Sequence, residues 1–131
     1  MILATVRRRC MKLLIVDDHV GVRKLIRELL AALATEIREC VNGEEAVQAY
    51  AEFRPDFVIM DLHMPGLDGF EATCRIVEKN PRARVIAVSN FKHPGMVSLA
   101  RRAGARHFVH KENLSELPLY LCREASKRSE M

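Results

Sequence analysis

The sequence predicts an α/β fold: a single doubly wound parallel sheet of five strands with helices on both faces. Three observations carry that expectation. Residues 13–16, 57–60 and 85–88 are short runs of consecutive apolar side chains, which read as strands buried on both faces because a half-solvated strand would alternate apolar with polar. Between the strand-like stretches, apolar residues recur at the spacing of one helical face, so strands and helices alternate in units suited to right-handed crossovers. Finally, each conspicuous polar residue follows a strand: Asp17 and Asp18, Asp61, Ser89, and Lys111. In a parallel sheet the loops beyond the carboxyl ends of the strands converge on one edge, so these groups are expected to share a site.

Taken in order, the first strand at 13–16 is stopped by Asp17 and Asp18. Val22, Leu25, Ile26, Leu29, Leu30 and Leu33 then mark the inner face of helix one. A weaker strand at 37–41 closes on Asn42-Gly43, and Ala46, Val47, Tyr50 and Ala51 mark helix two, which ends before Pro55. The third strand, 57–60, runs into Asp61. A lone carboxylate is costly to bury, so Asp61 is expected to emerge toward solvent or a cation, at the lip of a loop to which Pro65-Gly66 and Asp68-Gly69 give turn chemistry. Phe70, Thr73, Ile76 and Val77 give helix three, 85–88 a fourth strand, and Met96, Leu99, Ala100 and Ala103 helix four with Gly104 as its stop. The fifth strand spans 105–109. Leu117, Leu121 and Ala125 mark the last helix, whose first turn holds Pro118 and whose N-cap is expected at Ser115.

With 131 residues the chain is expected to form one domain. Its apolar runs are too short to span a bilayer, and the charges near its start follow the apolar stretch instead of preceding it, the reverse of a secretory signal. A cytoplasmic location is the expectation. Cys10, Cys40, Cys74 and Cys122 lie far apart without paired spacing, which favours reduced, mostly buried thiols over a metal knuckle or disulfide frame. Residues 1–10 read as a basic N-terminal extension, a disordered tail ahead of a domain at 11–128, with Met11 a candidate start. Apart from Arg7, Arg8 and Arg9, 18 basic residues face 17 acidic ones, so the body is not expected to bind nucleic acid directly.

Three carboxylates gathered at one edge would raise one another's pKa unless a cation sat among them. Oxygen donors without supporting Cys or His suit magnesium. A magnesium ion, a lysine and a serine hydroxyl would together partner the oxygens of a phosphoryl group, and one carboxylate would serve as its nucleophile. Asp61 is best placed, standing alone on a central strand while Asp17 and Asp18 share a neighbouring strand end.

Val-Asp-Asp-His at 16–19, Asp-Leu-His-Met-Pro-Gly-Leu-Asp-Gly at 61–69 and Gly-Ala-Arg-His-Phe-Val-His-Lys at 104–111 together resemble a CheY-like receiver domain of a two-component response regulator. Their pattern is most similar to receivers of the nitrate-response, NarL/LuxR-type group. The resemblance covers nearly the whole chain and implies the flavodoxin-like strand order 2-1-3-4-5. It also implies a phosphoprotein with Asp61 as phosphoacceptor. Asp18 and Asp61 would bind Mg2+ directly with the backbone carbonyl of His63, and Asp17 through a metal-bound water. Lys111 would pair with Asp61 and then with the phosphoryl group, Ser89 would move to that group, and Phe108 would be the switch aromatic. The implied upstream partner is a sensor histidine kinase or a histidine phosphotransfer protein. Output would go to a downstream protein that the sequence does not identify, through the face of helix four, strand five and helix five. The chain would be a monomer or a phosphorylation-dependent dimer.

Four positions set this chain apart within the family pattern. Asn90 replaces a small residue beside the hydroxyl, Phe91 and His63 occupy positions that tune hydrolysis, and no proline follows Lys111. A bulky aromatic at 91 leads to the expectation of a long-lived aspartyl phosphate. The remaining histidines, His19, His93, His107 and His110, read as surface or loop residues, and Met60, Met64 and Met96 as packing or loop residues. The first reading is a stand-alone switch, catalysing only its own phosphorylation and dephosphorylation. Alternatives are a phosphorelay intermediate, a receiver fragment of a longer DNA-binding regulator, and an aspartyl-phosphate phosphohydrolase. The last would need a second carboxylate at position 63, where His63 stands.

Overall fold

A computed structural model of the chain describes residues 11–91 and 93–129; the expected basic extension, residues 1–10 with Cys10, lies outside the described residues. Five strands, β1 (Met11–Val16), β2 (Ala34–Cys40), β3 (Phe57–Asp61), β4 (Val85–Ser89) and β5 (His107–His110), alternate with five helices. These are α1 (Val20–Leu30), α2 (Gly43–Phe53), α3 (Gly69–Lys79), α4 (Pro94–Ala103) and α5 (Leu117–Ser129). The strands form one sheet in the order β2-β1-β3-β4-β5, every neighbour pair parallel.

The apolar runs are buried on both faces because alternate residues enter different cores. Leu13, Ile15 and Ile59 pack with Ile26 and Leu30 of α1 and with Leu117 and Leu121 of α5. Leu14, Val16, Val58 and Met60 pack on the other side with Ala46 and Ala49 of α2 and with Ala72 and Ile76 of α3. A smaller cluster of Leu62, Ala87, Ala100 and Ala105 seats α4, with Phe70, Met96 and Phe108 against it.

Several expected positions shift, each for a geometric reason. Leu25 is exposed, since at about 100° per residue it is rotated off the face that holds Val22, Ile26, Leu29 and Leu30. Leu33 is buried, but from a separate 3-10 turn, Ala31–Leu33, after α1 has ended. On α2 the buried face is Ala46, Ala49 and Phe53, and Ala51 points to solvent. β2 starts three residues earlier than expected, at Ala34, because as an edge strand it carries exposed Thr35, Glu36 and Arg38 that hide its register in an apolar scan. Leu99 of α4 is also exposed. Ser115 does not cap α5; a 3-10 segment, Lys111–Glu116, runs directly into the helix and contains it.

The loops beyond the strands are fixed by helix caps. Asn42 Oδ1 accepts the Glu45 N–H at 2.8 Å and Asp68 Oδ1 accepts the Glu71 N–H at 2.9 Å. His93 caps α4 through Nδ1, which accepts the Gly95 N–H, with Pro94 in the first turn. Gly104, at φ 114°, ends that helix in the left-handed conformation that glycine adopts without strain. Cys40 is buried, Cys74 and Cys122 are half-buried, and all three are free. Among the described residues no helix is long and apolar enough to cross a membrane.

Candidate functional site

β1 and β3 are neighbours in the middle of the sheet, in register through Val16 and Met60, so Asp17 and Asp61 each continue one step beyond a paired position. The side chains meet there. Asp61 is 3% exposed and Asp17 1% exposed, so the carboxylate expected at a solvent-facing lip is in fact buried. The Lys111 ammonium makes that possible: Nζ lies 3.5 Å from Asp61 Oδ1 and 3.0 Å from Asp17 Oδ2. The His63 N–H also donates to Asp61 Oδ1 at 3.3 Å. Asp61 Oδ2 is buried with no hydrogen-bond partner. Burial, first, and the negative charge of Asp17, second, push the Asp61 carboxyl up to about 6, with Lys111 pulling in the opposite direction.

The Asp17-Asp18 loop is held by a chain of ion pairs. Arg23 Nη1 donates to the Asp17 carbonyl oxygen at 2.7 Å, while Arg23 Nε and Arg27 Nε donate to the two Glu39 oxygens at 2.8 and 2.7 Å. The Arg27 hydrogen bond, followed after opposing burial by that of Arg23, holds the Glu39 carboxyl below its usual range. The sequence reading missed this brace; its signal was two arginines one turn apart on α1 and Glu39, the second of two glutamates on β2. Asp17 Oδ1 accepts the His19 N–H at 2.8 Å, and His19 Nδ1 stands 3.3 Å from Asp18 Oδ1. Asp17, Asp18 and His19 bring one potential ligand atom each within 4.8 Å of the others; Asp61 is not part of that trio.

On the other flank, β4 and β5 pair Ser89 with His110, which puts Ser89 beside the strand end that carries Lys111. Ser89 is fully buried, and its Oγ accepts the Phe91 N–H at 3.0 Å, so the hydroxyl bonds its own loop. His110 Nε2 donates to the Asn90 carbonyl oxygen at 2.6 Å while Nδ1 accepts the Glu112 N–H, tying the β4–α4 loop to the end of β5. His63 is exposed above Asp61. Phe91 meets it edge-on at 4.9 Å between centroids and Phe70 at 6.0 Å.

Residues 13–120 match the family described as the response regulator receiver domain. The chain is 39% identical over 118 residues to the chemotaxis protein CheY of Listeria monocytogenes, covering 89% of this chain and 99% of that one. It is also similar to the crystal structure of a LuxR-family two-component response regulator from Aurantimonas, at 33% identity and TM-score 0.77, covering 82% and 79% of the two chains. A third likeness is to the CheX-CheY-BeF3-Mg2+ complex from Borrelia burgdorferi, at 31% identity and TM-score 0.72 over 76% of each. The chain belongs to the response regulator receiver family.

This receiver has the CheY-like sheet order that its motifs implied, and its family fits a signalling role in two-component phosphorelay. The donors at its acidic edge also fit a hard divalent cation. Oδ1 of Asp18 and Oδ2 of Asp17 and Asp61 are buried without a hydrogen-bond partner, although Lys111 lies in ion-pair range of Asp17 Oδ2. Oxygen atoms in that state are costly to leave bare, and an ion with oxygen preference would satisfy them. The receiver's acidic edge thus gathers four of the expected residues, Asp17, Asp18, Asp61 and Lys111, with the His63 backbone. Ser89 is adjacent through the sheet but bonded elsewhere. Phe108 is half-buried against the α4 cluster.

Proposed function

We propose that this receiver takes a phosphoryl group from a sensor histidine kinase onto Asp61 and switches a protein-interaction face. The observation that carries the reading is the pairing of buried Asp61, one oxygen unpartnered, with Lys111 at 3.5 Å. Attack by Asp61 Oδ2 on phosphohistidine would form the new O–P bond as the N–P bond breaks, with the released imidazole taking up a proton. Lys111 would follow the negative charge onto the phosphoryl oxygens as a mobile point charge. Asp18, Asp61 and the His63 carbonyl would hold Mg2+, with Asp17 acting through water; when bound, the ion supplies positive charge for the phosphoryl oxygens.

Output would run through Ser89 and Phe108 to the face of α4, β5 and α5. Turning the Ser89 side chain away from the Phe91 N–H would aim its O–H, which that bond leaves free to donate, at the phosphoryl oxygens and would shift an existing equilibrium of that face. Leu99 of α4 and Leu119 of α5 are exposed, and His107 stacks on Tyr120 at 4.0 Å, joining β5 to α5. Incubation with magnesium and acetyl phosphate tests the reading: wild type takes up one phosphoryl group and Asp61→Asn none. Equal labelling of both would end it. Passage of the label onward to a histidine phosphotransfer protein, without a change at the α4–β5–α5 face, would favour a relay intermediate.

A further inference from the structure

At the opposite end of the sheet, the amino ends of β3, β4 and β5 border an open groove of about 1020 Å3 whose lining includes four arginines from three separate loops. Arg54 follows α2, Arg82 and Arg84 precede β4, and Arg106 precedes β5. We propose that this groove binds a small phosphate-bearing anion, a nucleotide or oligophosphate, independently of the acidic edge.

The charge there is concentrated beyond what the overall balance suggests. Arg54, Arg82 and Arg106 are exposed and make no ion pair among the described residues. Arg84 is committed to the fold, donating to the Glu124 carbonyl oxygen at 3.1 Å and lying over the Phe57 ring. The one carboxylate in the lining, Asp56, accepts the Lys12 N–H at 2.8 Å. Three exposed guanidiniums around one concavity repel one another, and an anion with adjacent phosphates would relieve that through paired N–H donors. The groove is at the upper end of the size of small-ligand sites. Tyr50, Pro55 and Pro81 add ring surface to its walls.

Arg54 itself supports the assignment. It caps α2 at φ 50°, the one non-glycine residue with positive φ among those described, and donates its N–H to the Tyr50 carbonyl. Glycine or asparagine would take that conformation at less strain. An arginine there adds an exposed guanidinium to the groove's lining. Arg54→Gly is therefore expected to preserve or raise stability while removing a ligand-binding group.

The test is calorimetric titration of the full chain, without magnesium, with inorganic pyrophosphate and with ATP, for wild type and for Arg54→Gly/Arg82→Ala. The expected result is saturable binding by wild type, weakened at least tenfold in the double variant. The variant's melting temperature should not fall, and its Asp61 labelling by acetyl phosphate should persist. Preference for ATP would assign a nucleotide and equal affinity an oligophosphate, both in support. Absence of saturable binding, or equal affinity in the variant, would overturn the proposal. So would displacement of ATP by a polyglutamate peptide or a short DNA duplex at a tenth of the ATP concentration, since that would make the partner a macromolecule. Loss of Asp61 labelling in wild type would count against the phosphoacceptor reading and leave this result standing.

Discussion

Lys111 Nζ lies closer to Asp17 than to Asp61, at 3.0 Å against 3.5 Å. One ammonium therefore serves two buried carboxylates. Burial, with Asp61 3% exposed, and the neighbouring Asp17 charge outweigh that ammonium, and the Asp61 carboxyl rises to about 6. Its ionisation opposes folding, and this gives the pH behaviour its sign.

An acid raised in the folded state holds its proton more tightly there than in the unfolded chain. Stability thus falls as pH climbs from the ordinary 3.8 toward about 6 and stays lower above it. Asp61→Asn removes this penalty. In magnesium-free buffer the variant is expected to be more stable than wild type above pH 6, by at most about 3 kcal/mol, with the gain fading below pH 4. Addition of magnesium should raise the wild-type melting temperature more than that of the variant. Thermal melts across pH, with and without the ion, measure both; a gain that persists unchanged at pH 3.5 would rule out Asp61 ionisation as its cause.

Lys111→Met leaves two buried carboxylates facing each other. Truncating one partner of a buried ion pair strands the other charge, so a loss of about 3–5 kcal/mol is expected at pH 8. The loss should shrink toward pH 5 as a carboxyl takes up a proton. Urea titrations at the two pH values check this, and acetyl phosphate labelling should fall along with the stability.

Much of this arrangement was legible in the sequence because strand ends are local signals. An apolar run stopped by Asp17, Asp61 or Ser89 needs no knowledge of the rest of the chain. The burial of Asp61 was not legible, since the ammonium that permits it is fifty residues away and its distance is set by two strand registers, β3 on β4 and β4 on β5. The brace of Arg23, Arg27 and Glu39 was hidden for the same reason, joining a helix face to an edge strand. The arginine groove was masked differently: a near-neutral body charge conceals local concentration when the contributing loops are far apart in sequence.

That brace has its own pH signature. Glu39 is held below its usual range by Arg27 and Arg23, so its contribution is present above the unfolded pKa, near 4.5, and is lost as pH falls through the lower folded value. Because the Arg27 side chain is 45% exposed and solvent screens the pair, Glu39→Gln should cost under about 1 kcal/mol at pH 7. The difference should disappear in acid. Since Arg23 also holds the Asp17 carbonyl, magnesium affinity measured by titration should weaken in the variant; full retention would separate the brace from the acidic edge.

Phe91 stands edge-on to His63 at 4.9 Å, over the strand end that carries Asp61. If the pair restricts water, Phe91→Ala should shorten the lifetime of the aspartyl phosphate at least about threefold, or ~0.7 kcal/mol of barrier. Phe91 is 54% exposed, so the substitution should leave stability within about 0.5 kcal/mol. Release of inorganic phosphate after removal of the donor gives the rate, and an unchanged lifetime would assign the ring to the surface alone.

Gly69 begins α3 where the helix presses on the loop after Asp61. Its N–H donates to the Leu62 carbonyl oxygen at 3.1 Å, and a β-carbon there would overlap the Asp61 carbonyl oxygen and come within 2.7 Å of Leu62 Cα. The obstacle is backbone on both sides, pinned by the Leu62 N–H to Val88 bond at 3.0 Å, so no side chain can swing aside. Gly69→Ala must therefore move α3 away from β3 or displace the Asp61 peptide. The expected cost is about 2–3 kcal/mol, in the range of overpacked cores, with labelling of Asp61 reduced even in the folded fraction. Chemical denaturation and labelling at 10 °C separate the two effects; a variant with wild-type labelling and stability would show that the contact yields without disturbing Asp61.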